Sequence, residues 1–471
     1  MGANKTLRVG VLTPVSTVNP REAQDFVSQT VVTQIYEPPF AWPEAGRLPE
    51  PVLFEDRLRQ DGPSEVSAAV RPDVRFSDGT PLTARHVADS LARVVSLRDH
   101  VQVEARGDRV VFHLERPNAR LDLVLAQRFC GVTLEARGAL HGTGPYMLAP
   151  GSTQDCTRLV RNPHARKAAA IDEIVVRTYL PDVLGRPEAL LAALEAGEVD
   201  FTNVLSREDI MRLKNVRRLT EPGSSTAILY MNTERPGLGD ARVRKAIALA
   251  IDRLEIAKLF YATATAFAAT HLLPPMLGRG NDGLTPDLAK ARALLADPDV
   301  RKPARLSLLI IFGPRPYLPN PRKVADLIAS QVDRLGIAID ILPTATLQEY
   351  RTQVQRGAYD LALAGWIADT LDPVDFLETA LGSESIPSPD RKIASGYNLS
   401  RWRNRETDEA LAQLREEPRD EVRAQLLRRI ADEVPLLPLM YGPTIYAHAW
   451  RVKNFTAAPL GIPSFAELDL Q

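Results

Sequence analysis

The sequence predicts an α/β fold of two lobes, with an extra β-rich domain inserted in the first. Three observations carry that reading. The chain is 471 residues long, more than one hydrophobic core usually organises. Beyond Thr143, strand-like and helix-like segments alternate, the pattern of layered α/β architecture. Between Leu48 and Leu140 the chain changes to short strand-like pieces around a single helix candidate.

At the N-terminus, TLRVGVLTPVSTVNP alternates apolar and polar residues before a turn cluster, as a half-buried strand does, and AQDFVSQTVVTQIYE follows with helical spacing. The inserted segment supplies strands in SEVSAAVRPDVRF and DRVVFHLERP around the helix TARHVADSLARVV. After GTGPYML come strands IDEIVVRTYL and STAILYMN and helices RPEALLAALEAG and REDIMRLK. DARVRKAIALAIDRLEIAKLF sets Val243, Ile247, Ala250, Ile251 and Leu254 on one helical face with Asp240 as N-cap, predicting one core helix. A second α/β run then reads PDLAKARALLAD (helix), ARLSLLIIF (strand), RKVADLIASQVDRLG (helix), IAIDIL (strand), LQEYRTQVQRG (helix) and YDLALAGW (strand). DEVRAQLLRRIADEVP is an amphipathic helix, and LLPLMYGPTIYAHAW is extended chain that returns to the first lobe. These segments place lobe I at 1–42, 143–232 and 438–471, the inserted domain at 43–142, and lobe II at 233–437. A hinge is expected where ILYMNT leaves the first lobe and LPLMYGP returns to it.

Charge and composition remove several functions. With 58 Lys and Arg against 59 Asp and Glu, no global field favours nucleic acid or anionic lipid. Two cysteines, Cys130 and Cys156, are too few for a disulfide framework and lack metal-ligand spacing, although one bridge between them stays open. The seven histidines are scattered, with no HExxH, so neither a metal nor a cofactor is expected. GRGNDG at Gly278–Gly283 has dinucleotide-like glycines but no strand feeding it, and reads as a turn. There is no G-x-S-x-G elbow, which weakens an enzyme reading but leaves it open, since triads are assembled in space. No apolar run approaches the roughly 18 residues that span a bilayer. MGANKTLRVGVLTP also lacks the apolar core of a secretory signal. Either a removed signal preceded this sequence or the protein stays inside the cell.

Two stretches suggest a binding site. In IFGPRPYLPNP, Arg315 stands between two prolines, which leave the loop few conformations. It is either an ordinary surface arginine or an anion clamp, because a guanidinium pairs with a carboxylate through two parallel hydrogen bonds. In AGWIADTLDPVDF, Trp366 and Asp369 follow an apolar strand, outside its carboxyl end, where α/β sheets hold ligands. Helix capping is the other reading of Asp369, and capping or turn formation is the expected role of Asp372 and Asp375. FSDGTPLTARHVADSL reads locally as a Ser-Asp-Gly turn before a Thr-capped helix.

Together with IYEPPF, VRFSDGTPLTARHVADSL, GTGPYML, LEAGEVDF, LYMNTERPGLGDARVRKAIALAIDR, AKARALLAD and GWIADTLDP, these stretches resemble the cluster C, or family 5, extracellular solute-binding proteins of ABC transporters, from about Leu7 to Phe455. The chain departs from the family at RNPHARKAAAIDEI, where an aromatic pair usually follows the Asn-Pro, and in its small inserted lobe. The resemblance implies a periplasmic-binding-protein type II-like fold and binding without catalysis or cofactor. It also implies a monomer with ABC permease subunits as partners, no nucleic acid, and a periplasmic or extracytoplasmic location. RPYLPNPRKVADLI is most similar to the dipeptide-binding members. That implies a short peptide whose carboxylate meets Arg315 and whose α-amine meets Asp369, with Tyr317 and Trp366 as further contacts. The alternative is an intracellular ligand sensor of the same fold that regulates a partner, cytoplasmic if Met1 is the natural start.

Overall fold

The structure, a computed structural model, describes residues 5–23, 25–42, 48–94, 97, 100–115, 120–183, 186–261, 263–278, 283–311, 313, 315–368, 370–389, 397–417, 419–458 and 460–471. The chain forms two compact units, 1–221 with 444–471, and 222–443. Each boundary falls inside a long strand, Val216–Met231 or Leu436–Ala449, against the expected positions 232/233 and 437/438.

In the first unit the alternating segment at the N-terminus becomes the strand Thr6–Val11, parallel to Glu173–Thr178 with Thr6 opposite Glu173. Cys156–Arg161 and Tyr146–Leu148 extend this sheet antiparallel on one side. Phe201–Thr202 joins on the other and pairs antiparallel with the C-terminal end of the strand Leu436–Ala449, Phe201 opposite His448. A fully buried carboxylate fixes this end. Asp200 accepts from Arg8 Nε and Nη2 (2.8 and 2.7 Å) and from Arg451 Nε and Nη2 (2.7 and 2.6 Å). Burial pushes its pKa up, but the bonds from Arg451 and Arg8 outweigh that and hold it below the usual carboxylate range.

The β-rich segment of this unit has its own four-stranded sheet, in the order Arg59–Gly62, Glu65–Ala69, Arg109–Leu114, Val101–Arg106. The helix Ala84–Leu91 belongs with it, capped by Thr83, whose hydroxyl accepts from His86 N while His86 Nδ1 accepts from Thr83 N. Its core, built on Phe40, Phe54, Phe76, Leu91 and Phe112, is separate from the one around Thr6–Val11. Cys130 lies in the former, its thiol on the Val124 carbonyl at 3.3 Å, and both Cys130 and Cys156 are free.

The second unit is built on Leu361–Ile367, antiparallel to Val216–Met231 (Met231 opposite Leu361) and parallel to Arg305–Ile310, which in turn lies parallel to Ala338–Pro343. One expectation fails. The segment from Asp240 to Leu259 is two helices, Ala241–Ala250 and Arg253–Lys258. Asp240 caps the first, as expected. The break comes because Asp252 caps a new helix, accepting from Leu254 N at 2.8 Å, while its own N–H is taken by Gln331. An N-cap residue is extended and cannot lie inside a helix. The helix Arg405–Glu416, mostly polar with only Thr407, Leu411 and Leu414 buried, escapes the sequence reading. Among the described residues no helix is long and apolar enough to cross a membrane.

Candidate functional site

Two neighbouring parallel strands, Arg305–Ile310 and Leu361–Ile367, end at the same edge of the second unit's sheet. The chain after each of them supplies the candidate residues, which is how Arg315 and Trp366, 51 positions apart by their numbers, come to one region.

After Ile311 the first strand runs into a turn closed reciprocally: Arg315 N–H donates to Leu318 O at 3.0 Å and Leu318 N–H to Arg315 O at 2.9 Å. Pro316 occupies the second position, where its fixed φ suits a tight turn. Two residues on, Asn320 caps the helix Pro321–Asp333, accepting from Lys323 N at 3.0 Å. Strand, turn and capped helix therefore hold Arg315 from both sides, and its side chain is half-buried.

Tyr317 anchors this turn. It is only 4% exposed, and its ring lies on Gly365: a Cβ there would sit 2.6 Å from Tyr317 Cδ2 and Cε2, and one at Gly442 would sit 2.8 Å from Tyr317 Cα. Glycine is needed at both places for close approach, not for an unusual φ. Burial pushes the Tyr317 phenol far up, and it stays neutral.

Trp366 follows Gly365 on the same strand, opposite Thr226. Its ring is half-buried against Tyr397, with centroids 5.2 Å apart, and its indole N–H is buried without a hydrogen-bond partner. Tyr397 also meets Tyr230 edge-on at 6.4 Å. Burial pushes the Tyr397 phenol up to about 12, against the opposing influence of the Arg315 and Arg351 charges. The Tyr230 and Tyr350 hydroxyls are themselves buried outside hydrogen-bond geometry. A neutral, donor-rich aromatic wall thus stands beside a guanidinium, an arrangement suited to an acceptor-bearing, anionic group.

Asp369 lies outside the described residues, as do residues 279–282 of the GRGNDG stretch. Asp372 is an N-cap, accepting from Val374 N at 2.9 Å with Pro373 at the first helical position, and Asp375 accepts from Thr370 Oγ1 at 3.3 Å. Sequence reasoning misses Tyr397, Tyr230 and Tyr350, which sit in different elements with no shared motif. Among the described residues no group of three His, Cys, Asp or Glu side chains could hold a metal ion.

Comparisons with known proteins bear on this arrangement. Residues 49–388 match the model of the bacterial extracellular solute-binding proteins, family 5. Heme-binding protein A of Haemophilus influenzae is 26% identical over 71% of this chain and 60% of its own length. The chain thus spans less than two thirds of that relative. Di/tripeptide-binding protein 2 of Pseudomonas aeruginosa is 28% identical over 89% of this chain and 84% of its own length. The solved structure of HbpA2 from Haemophilus parasuis superposes with a TM-score of 0.87 at 21% identity, covering 99% of this chain and 100% of that one, which makes the fold the same.

Proposed function

Because the chain belongs to the family 5 bacterial extracellular solute-binding proteins, we propose that it captures a short peptide or peptide-like solute for uptake by an ABC transporter. One observation carries the peptide reading: Arg315 is held on a closed turn beside the Tyr397 and Trp366 wall. In this reading Arg315 takes the peptide carboxylate and Asp369 its α-amine, with Trp366 lining the site. Tyr317 supports Arg315 from beneath. Likeness to a di/tripeptide-binding protein supports the same class of solute. No step of catalysis is needed, and the protein works outside the cytoplasmic membrane beside permease subunits. The two chain crossings, in Val216–Met231 and Leu436–Ala449, are where a hinge would act.

Calorimetry with a free dipeptide, its C-terminal amide and its N-acetyl derivative tests this. Removing one partner of a desolvated charge pair typically costs about 2–5 kcal/mol, a loss of roughly thirty-fold or more in affinity. Arg315→Ala should weaken the free dipeptide by that factor and leave the amide nearly unchanged, and Asp369→Asn should do the mirror with the N-acetyl peptide. Equal wild-type affinity for all three forms, or binding of heme and of no peptide, would overturn the reading.

A further inference from the structure

Away from Arg315, the second unit contains a recess of ≈ 50 Å³, walled mainly by Leu272, Leu427, Ile430 and Leu437. Arg253 lines it. This arginine is 8% exposed, and its Nη2 donates to the Leu284 carbonyl. Among the described residues no carboxylate pairs with it. Asp252, its neighbour in sequence, is committed to the helix cap through Leu254 N and Glu255 N (2.8 and 3.2 Å). The nearby Tyr441 hydroxyl donates to the His271 carbonyl at 3.2 Å.

A guanidinium carries five N–H donors and a permanent charge, and buried charges are normally paired. Arg253 is satisfied by one carbonyl, and none of its nitrogens is among the buried polar atoms sealed off without a partner. Arg253 lines the recess, so its remaining donors can serve a ligand there. A single cation at the end of an apolar pocket selects a small molecule with an anionic head and a hydrocarbon body. We propose that this recess binds a short-chain monocarboxylate, its head group accepting from Arg253 and its chain lying against Leu427, Ile430 and Leu437. This site is independent of the peptide reading, since neither Arg315 nor Trp366 lines it.

The test titrates hexanoate, hexanamide and acetate into the full chain by calorimetry. Hexanoate should bind saturably, one per chain, and more tightly than hexanamide by roughly tenfold, the scale of a charge-assisted hydrogen bond. Acetate, lacking the apolar body, should bind more weakly than hexanoate. Arg253→Gln should erase the preference for the acid over the amide. Ala431→Phe, which adds bulk at the wall of the recess and leaves Arg253 itself in place, should abolish hexanoate binding and serves if the first variant does not fold. Equal binding of acid and amide, or hexanoate binding untouched by Ala431→Phe, would overturn the proposal. So would displacement of hexanoate by a dipeptide, which would put the carboxylate at the peptide site.

Discussion

Arg244 and Arg253 lie in one apolar-spaced stretch of sequence, both are buried, and they end in opposite electrostatic situations. Arg244, 2% exposed, spends its guanidinium on the carbonyls of Glu433, Val434, Leu238 and Gly239 and also approaches the Glu433 carboxylate at 3.4 Å. Arg253 has the Leu284 carbonyl and the wall of a recess. Burial lowers the pKa of both. The difference teaches that burial alone does not identify a structural charge. What matters is how many of its donors the fold already uses.

The sharpest way to break this comparison is Arg244→Met. It strands several carbonyls and should lower stability by about 3–5 kcal/mol, as removal of one side of a buried charged network does. Urea unfolding with a midpoint unchanged from wild type would show that Arg244 is no more structural than Arg253.

Asp200 extends the comparison to the first unit and makes it depend on pH. Asp200→Asn should cost about 2 kcal/mol at neutral pH, less than full burial suggests, because Arg8 and Arg451 both keep contact with water. The folded pKa of Asp200 is depressed, so its contribution is fully present above the unfolded value near 3.9 and is lost as pH falls through the folded pKa. The stability gap between wild type and variant should therefore be flat above about pH 4 and close below it. A gap that grows on acidification would contradict the assignment.

Gly365→Ala probes the anchor under Arg315. The new methyl would meet Thr226 O at 2.4 Å and the Tyr317 ring at 2.6 Å, an overpacking that typically costs about 1–3 kcal/mol. Thermal unfolding should show the loss, and dipeptide affinity should fall with it because the turn carrying Arg315 shifts. An unshifted midpoint would mean that Tyr317 does not lock the turn.

The smallest effect belongs to Arg253→Gln. Losing one carbonyl bond while relieving an uncompensated charge should change stability by less than about 1 kcal/mol. A loss as large as that of Arg244→Met would make both arginines structural and remove the basis for a ligand at the recess.

Most elements were legible in the sequence because their apolar periods are strong and their caps explicit, as at Thr83 and Asp240. The exception at Ile251 shows the limit: period alone continued the helix, whereas the cap at Asp252 ended it. Of the candidate site, Arg315 and Trp366 could be found because proline and strand-end positions mark them locally. Tyr397 could not, since it contributes through contact with Trp366, 31 positions away by number, and not through any pattern around itself.

By itself, then, the sequence determined the alternation of helices and strands, their caps, the stiffness of the Arg315 turn and the family motifs, all properties of residues within a few positions of one another. Only the tertiary structure decided which charges are spent. Arg244 and Arg253 are the same residue type within one short stretch, and what separates them is carbonyls at Glu433 and Val434 and a recess walled by Leu427 and Leu437. Hydrogen-bond satisfaction depends on atoms that the chain brings in from far along its length, so no local reading of the sequence contains it.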